Sequence, residues 1–363
     1  MEKSNHQTTT LLETAVQLEP KKLVTDSKRV RIAINGFGRI GRAVLKIAQE
    51  REDVEVVAIN DLSDIATLAH LLKYDSVYGI YSKTINIQDN LLFVDGKKIQ
   101  VLSIPDPANL PWKSLEIDVV VECTGRLTKD GASSAHVTAG AKKVIISAPA
   151  KGGNVKTIIL GVNDGEYKGE PLVSNGSCTT NCIAPVVKVV ENSFGVEQVS
   201  CTTVHAMTSE QNIVDSAPPA LHKDLRRARA AGSNIIPTTS GAATALVEAF
   251  PNLVGKVEVV SLRVPIICGS ITDFTFVTKK ETTVEEVNKI LTSASLSGEY
   301  KNVLATTSDP IVSSDIIGNP ASSLVDLSLT KVISKNLVKI FSWYDNEWGY
   351  SNRLIDLCQH ISS

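Results

Sequence analysis

The octet Asn175-Gly176-Ser177-Cys178-Thr179-Thr180-Asn181-Cys182 delivers a thiol to what reads as the first turn of a helix. A thiol so placed faces unpaired backbone N–H groups and the positive end of the helix dipole, both of which favour the thiolate, so Cys178 is the candidate nucleophile. The competing reading is a structural cysteine buried on a well-capped helix. Ser177, Thr179 and Thr180 supply hydroxyls that cap those N–H groups or hold an anion. His205 closes the alternating run Val199–Val204, 27 residues beyond Cys178, far enough for a helix and a returning strand to bring the two together. An imidazole beside a thiol stabilises the thiolate and then works as general acid or base. By itself such a histidine reads as an ordinary surface or core residue.

The segment Lys223-Asp224-Leu225-Arg226-Arg227-Ala228-Arg229 concentrates guanidinium groups, and Ser240, Gly241 and Arg263 add further donors. Arg226, Arg227 and Arg229 read equally as a solvated face or a subunit contact. Arg263 differs, because Val260-Ser261-Leu262-Arg263-Val264-Pro265 is an apolar strand in which a lone arginine needs an anionic partner. Cys182 shares a helix face with Cys178, but no histidine or further cysteine stands at ligand spacing, so no metal site is expected and Cys182 is assigned to packing.

Upstream, Val30-Arg31-Ile32-Ala33-Ile34-Asn35 reads as a buried strand entering Gly36-Phe37-Gly38-Arg39-Ile40-Gly41 and then a helix from Arg42 to Gln49. In this strand, glycine loop, helix order Gly36 makes the tight turn, Gly38 lets backbone approach a pyrophosphate and Gly41 lets helix and strand pack closely. A second strand, Val54–Ile59, ends at Asn60-Asp61, with Asp61 twenty residues past Gly41, where a carboxylate accepts hydrogen bonds from an adenosine ribose. An acid there repels a 2′-phosphate, so NAD is expected over NADP. Strands follow at Ile117–Glu122 and Lys143–Ser147. Thr124 and Gly125, at the carboxyl end of the first of these, either line the nicotinamide side of the site or form a simple turn. Val257–Val264, Ile271–Thr278 and Leu337–Trp343 read as strands of a sheet-rich second unit, and Leu354–His360 as a C-terminal helix.

With 363 residues, 37 basic against 39 acidic side chains and a formal net charge of −2, the chain suits two globular domains and has no broad electrostatic case for nucleic acid or anionic membrane. Its apolar runs are strand-length, well short of a membrane span. Six cysteines without paired spacing point to a reducing compartment, the cytoplasm by default. Residues 1–28 read as a polar leader without the apolar core of a secretory signal.

Asn35-Gly36-Phe37-Gly38-Arg39-Ile40-Gly41-Arg42, Lys73-Tyr74-Asp75-Ser76, Ser177-Cys178-Thr179-Thr180-Asn181-Cys182, the Arg226 cluster and Trp343-Tyr344-Asp345-Asn346-Glu347-Trp348-Gly349-Tyr350 together closely resemble the phosphorylating glyceraldehyde-3-phosphate dehydrogenases, over nearly everything from Arg29 onward. The resemblance implies an α/β fold: a Rossmann NAD-binding domain over 29–177, and a catalytic domain over 178–345 with a mostly antiparallel sheet. The helix within 346–363 would return to the first domain, in a homotetramer. It implies that Cys178 attacks glyceraldehyde 3-phosphate, that His205 ion-pairs with it and shuttles protons, and that inorganic phosphate cleaves the thioester. Thr208 and Arg263 would hold the substrate phosphate. Ser177, Thr179, Ser240, Gly241 and Arg227 would serve the attacking phosphate, Asn346 and Tyr350 would orient the nicotinamide carboxamide, and Ser147 would join the cofactor site.

Four departures from the family pattern bear on the site. Gly176 replaces an alanine and is expected to loosen the nucleophile turn, Ala206-Met207 replaces Ser-Tyr beside His205, Ser240 replaces a threonine, and the loop Asp215–Leu221 is longer than usual. The rival readings are an erythrose-4-phosphate dehydrogenase and a non-catalytic binding paralogue.

Overall fold

The computed structural model describes residues 29–218 and 224–363. The leader, and the part of the long loop from Pro219 onward, lie outside the described residues. Two large sheets organise the rest.

The first runs in spatial order Lys156–Thr157, Leu172–Ser174, Lys143–Ile146, Val119–Glu122, Val30–Asn35, Val54–Asn60, Lys97–Leu102, Leu91–Val94, Ile85–Gln88. All its pairings are parallel from the first strand to Lys97–Leu102, and the last three strands form an antiparallel meander. Ile32, Ala33, Ile34, Val119, Val120 and Val121 are all fully buried, because parallel strands are covered on both faces. One covering layer contains the helix Arg39–Ala48 and the C-terminal helix Trp348–Ser362, whose Leu354, Leu357 and Ile361 join Val44 and Leu45 in a single core. The chain's last element therefore packs on its first sheet.

Both helices begin earlier than the apolar pattern suggested. The first starts at Arg39 inside the glycine motif, with Gly38 as an N-cap that offers no side-chain bond. The last starts at Trp348 rather than Leu354, because Asp345 Oδ1 accepts the backbone N–H groups of Glu347 (2.9 Å) and Trp348 (2.8 Å) and so opens the helix within the turn.

The second sheet runs Ile236–Thr239, Val257–Val264, Val196–Ala206, Ser270–Thr278, Leu337–Tyr344, Ser323–Asp326, Leu304–Thr307. It is mostly antiparallel, with parallel pairing only where Val196–Ala206 meets Val257–Val264 and where Leu304–Thr307 meets Ser323–Asp326. Burial alternates strictly along Ser270–Thr278 and Leu337–Tyr344, as expected of strands with one face on a core. That core is completed by the helix Cys178–Phe194, whose Ile183, Val186, Val187 and Val190 pack with Phe274, Phe276, Val338 and Ile340. The helix runs through Pro185 as one element.

Candidate active site

The carboxyl ends of the central parallel strands open onto a cleft of about 480 Å³ whose lining includes Asn35, Gly36, Gly38, Arg39, Ile40, Asn60, Asp61, Cys123 and Thr124, with Ser209 reaching in from the second half. Gly36 sits at φ +94°, and a Cβ there would meet the Thr124 backbone nitrogen at 2.8 Å, so only glycine fits the turn. A Cβ on Gly41 would strike the Gly36 carbonyl at 2.2 Å, which is the close helix–strand approach expected of the third glycine. Nothing lies within 4 Å of the Cβ position of Gly38, leaving room for a ligand against bare backbone at an uncapped helix N-terminus. Asp61 accepts from the backbone N–H groups of Phe37 (2.7 Å) and Ser63 (2.9 Å), fixing its carboxylate at the cleft edge.

Other residues assigned to cofactor binding stand behind or beside this surface. Phe37 is 1 % exposed and belongs to the core. Gly125 follows Thr124 at φ +69°. Ser147 donates its N–H to the Glu122 carbonyl and hydrogen-bonds the Cys123 thiol through its side chain. Arg39 pairs with Asp75 (2.8 Å) and with Glu347, tying the glycine loop to the turn before the last helix. These residues fit a dinucleotide.

Cys178 is the first residue of its helix. Ser177 caps it, its Oγ accepting the Thr180 N–H at 3.0 Å while the Thr180 hydroxyl answers the Ser177 N–H, a reciprocal capping box. Gly176 adopts φ +62°, a conformation glycine takes without strain. Its N–H donates to Ser174 Oγ (2.9 Å) and its carbonyl accepts the Tyr350 hydroxyl (2.9 Å). The turn is thus tied on both sides, contrary to the loosening expected of a glycine at this position. The Tyr350 hydroxyl is engaged in holding the nucleophile turn.

His205 Nε2 stands 3.3 Å from Cys178 Sγ. His205 Nδ1 faces an acceptor, the Ala206 carbonyl at 2.6 Å, and a donor, Arg263 Nη1 at 2.9 Å, so it is held from both sides and Nε2 is the nitrogen left facing the sulfur. Burial pushes the Cys178 thiol up to about 11, against the lowering by Arg263 and by hydrogen bonds at Thr179. Burial, then the neighbouring Arg263 charge, push His205 down to about 3. Burial thus opposes charge on both groups, while Arg263 and the hydrogen bonds at Thr179 favour the thiolate.

Strand register sets the third group. His205 pairs directly with Arg263 across the parallel strands, and Arg263 Nη1 reaches the Ala206 carbonyl (3.2 Å) and Thr208 Oγ1 (3.3 Å). Arg227 is 6 % exposed and donates from Nε to Thr238 Oγ1 at 3.1 Å. Between the two guanidiniums lies Glu210, with Oε1 2.6 Å from Arg227 and 3.2 Å from Arg263. An anion is therefore what this corner is built to hold. A family model for the NAD binding domain of glyceraldehyde 3-phosphate dehydrogenase matches residues 30–130, and one for its C-terminal domain matches 177–346.

The chain belongs to the glyceraldehyde 3-phosphate dehydrogenase family.

Similar proteins bear the same name. The chain is 53 % identical over 339 residues to glyceraldehyde-3-phosphate dehydrogenase of Borreliella burgdorferi, covering 92 % of this chain and 99 % of that one. It is 50 % identical over 336 residues to that of Geobacillus stearothermophilus (92 % and 98 %) and 49 % identical over 337 residues to that of Streptomyces coelicolor (92 % and 99 %). As in its family, the chain carries an NAD-binding fold and an oxidoreductase architecture.

Within this dehydrogenase fold the arginine cluster divides: Arg227 turns into the site, whereas the Arg226 and Arg229 side chains remain 65 % and 60 % exposed. The Thr179 hydroxyl is buried against the Tyr344 hydroxyl at 3.1 Å, which itself meets Thr203 at 2.6 Å. Ser240 Oγ accepts the Ala242 N–H (3.2 Å), and Gly241 caps the helix Ala242–Ala249, so both mark a helix N-terminus. Asn346 Oδ1 accepts from the Gly269 N–H (3.1 Å) and the Ser270 hydroxyl (3.2 Å), and Ser270 in turn takes the Ala206 N–H, linking Asn346 to the strand end that carries His205. Cys182 is fully buried among Thr272, Ser323 and Ser342, as its packing role required. Among the described residues no cluster of His, Cys, Asp and Glu could hold a metal, and no helix is long and apolar enough to cross a membrane.

Residue patterns missed Glu210, Tyr344 and the polar strand ends Asn35, Asn60 and Glu122. For the strand ends a signal existed: each is the polar residue that terminates a largely apolar parallel strand.

Proposed function

We propose that this chain oxidises D-glyceraldehyde 3-phosphate to 1,3-bisphosphoglycerate with NAD and inorganic phosphate, through a thioester on Cys178. The observation that carries this reading is the 3.3 Å contact between Cys178 Sγ and His205 Nε2, beside a corner with two inward guanidiniums. His205 Nε2 accepts the thiol proton as sulfur attacks the aldehyde carbon, giving a hemithioacetal. The imidazolium so formed returns the Nε2 proton to the developing oxyanion. NAD, bound across the cleft of Gly36, Gly38 and Asp61, supplies the acceptor for the hydride that leaves the hemithioacetal carbon. His205 takes the hydroxyl proton in that step. Phosphate then attacks the thioester carbon, the acyl phosphate leaves, and the sulfur departs to be reprotonated.

Arg263 and Thr208 support the substrate phosphate, and Arg227 with the Ser240–Gly241 helix start supports the attacking one. Substrate phosphate on Arg263 has a second effect: burial and then the Arg263 charge hold His205 down, and offsetting that charge raises the basicity of the imidazole as substrate binds. Glu210 must yield its place between the arginines to the incoming anions.

The working form is a homotetramer, a reading supported by the exposed apolar residues Ile213, Val214, Leu225 and Ile235 gathered in one stretch of the second half. Six free thiols support a reducing, cytoplasmic setting. The enzymatic reading is tested by following NAD reduction with glyceraldehyde 3-phosphate. Sustained turnover only with phosphate or arsenate is expected; turnover independent of both, or faster turnover of erythrose 4-phosphate, contradicts it.

A further inference from the structure

The three central strands Val30–Asn35, Val54–Asn60 and Val119–Glu122 each end on a buried polar side chain, with Asn35 4 %, Asn60 6 % and Glu122 1 % exposed. The three are joined. Asn60 Nδ2 donates to Asn35 Oδ1 (2.7 Å), and Asn35 Nδ2 donates to Glu122 Oε2 (2.5 Å). Glu122 Oε1 accepts the Thr124 backbone N–H (2.8 Å) and the Thr124 hydroxyl.

Behind them, and away from the cleft, sit His136 and Trp112, both fully buried. An indole N–H can only donate, and Trp112 Nε1 lies 3.0 Å from His136 Nδ1, so Nδ1 is the acceptor and the ring hydrogen resides on Nε2. His136 Nε2 then donates to Glu122 Oε2 at 2.9 Å, beside the Asn35 amide. Burial pushes the Glu122 carboxyl up, but hydrogen bonds from His136, Thr124 and Asn35 outweigh it and hold the group below its usual range. The carboxylate is thereby kept ionised within the core, and every donor it recruits is fixed in direction.

Neither Trp112 nor His136 lines the cleft, whereas Asn35, Asn60 and Thr124 do. We propose that Trp112, His136 and Glu122 form a buried positioning relay that fixes Asn35 and the Thr124 turn for the dinucleotide. The relay acts on cofactor affinity from behind the sheet end, and the proton transfers at Cys178 do not pass through it. Removing the His136 donor deprives the buried carboxylate of a compensating bond and releases the turn that Glu122 holds.

This inference rests on reading the cleft as the NAD site, and the test separates the two. The dissociation constant for NAD is measured by calorimetry in the full chain, alongside iodoacetamide alkylation of Cys178 without cofactor. His136→Leu is expected to weaken NAD binding about tenfold, the scale of one charge-assisted hydrogen bond, and Trp112→Phe about threefold. His136→Gln, whose amide offers both a donor and an acceptor, should return to within about twofold of the parent. Cofactor-free alkylation and kcat at saturating NAD should stay near parental values in all three. Dissociation constants within about twofold of the parent for both His136→Leu and Trp112→Phe overturn the relay, as do equal losses in NAD binding and cofactor-free alkylation. If His136→Leu fails to fold, Trp112→Phe decides by the same readout. A parent chain that binds no NAD overturns the cleft reading and the relay with it.

Discussion

Between Cys178 and His205 there is one proton to place, and its position governs how the thiol reacts. Thiol with imidazole and thiolate with imidazolium carry the same number of protons, so their ratio does not change with pH while both groups remain between their outer titrations. With the imidazole pushed down to about 3 and the thiol up to about 11, that interval is wide. Alkylation of Cys178 in the cofactor-free protein is therefore expected to be nearly flat from about pH 5 to about pH 9 and to rise above that. In His205→Asn the plateau should vanish, leaving a slower rate that climbs about tenfold per pH unit through the same range. A parental profile that titrates as one step near 8.5, like a free thiol, contradicts the pairing. At this scale the sequence singled out Cys178, His205 and Arg263, which the structure brings together, because a thiol at a helix start, a histidine at a strand end and an arginine in an apolar strand are each chemically conspicuous. It did not separate Arg227 from Arg226 and Arg229, since which of three near-consecutive cations turns inward depends on the short turn Leu225–Ala228. Nor did it find Glu210, whose partnership with Arg263 spans 53 residues.

The elements that carry these groups were legible where local pattern and tertiary burial agree. Val30–Asn35 and Val257–Val264 were read to the residue, because an apolar run bounded by a glycine turn or by Pro265 leaves little choice of ends. Helix starts were less legible. The first helix begins at Arg39 because Gly41 packs on the Gly36 carbonyl, which draws the glycine motif into the helix; the last begins at Trp348 because Asp345 caps it from a turn. Both are set by contacts that an amphipathic period does not encode. The buried relay behind Thr124 was illegible for a related reason. Trp112, His136 and Glu122 are separated along the chain and gain meaning only where the sheet brings their side chains together.

At the scale of the molecule, two half-sites meet at one seam. The parallel sheet contributes the cleft, the antiparallel sheet contributes His205 and Arg263, and the Cys178 helix stands between them. Arg39 with Asp75 and Glu347, and Tyr78 with both oxygens of Asp345 (3.0 and 3.1 Å), fasten the first sheet's loops to the turn that bears Asn346. The proposed homotetramer predicts that sedimentation will give four chain masses, and a monomer at micromolar concentration would contradict that assembly. The central claim concerns the sulfur. Mixing the protein with glyceraldehyde 3-phosphate and NAD in the absence of phosphate, quenching in acid and weighing the intact chain tests it directly. The account predicts one NADH per site and one phosphoglyceroyl group mapped to the peptide containing Cys178, lost when phosphate is added before the quench. An unmodified chain after a full burst of NADH, or an acyl group carried on any other residue, would contradict it.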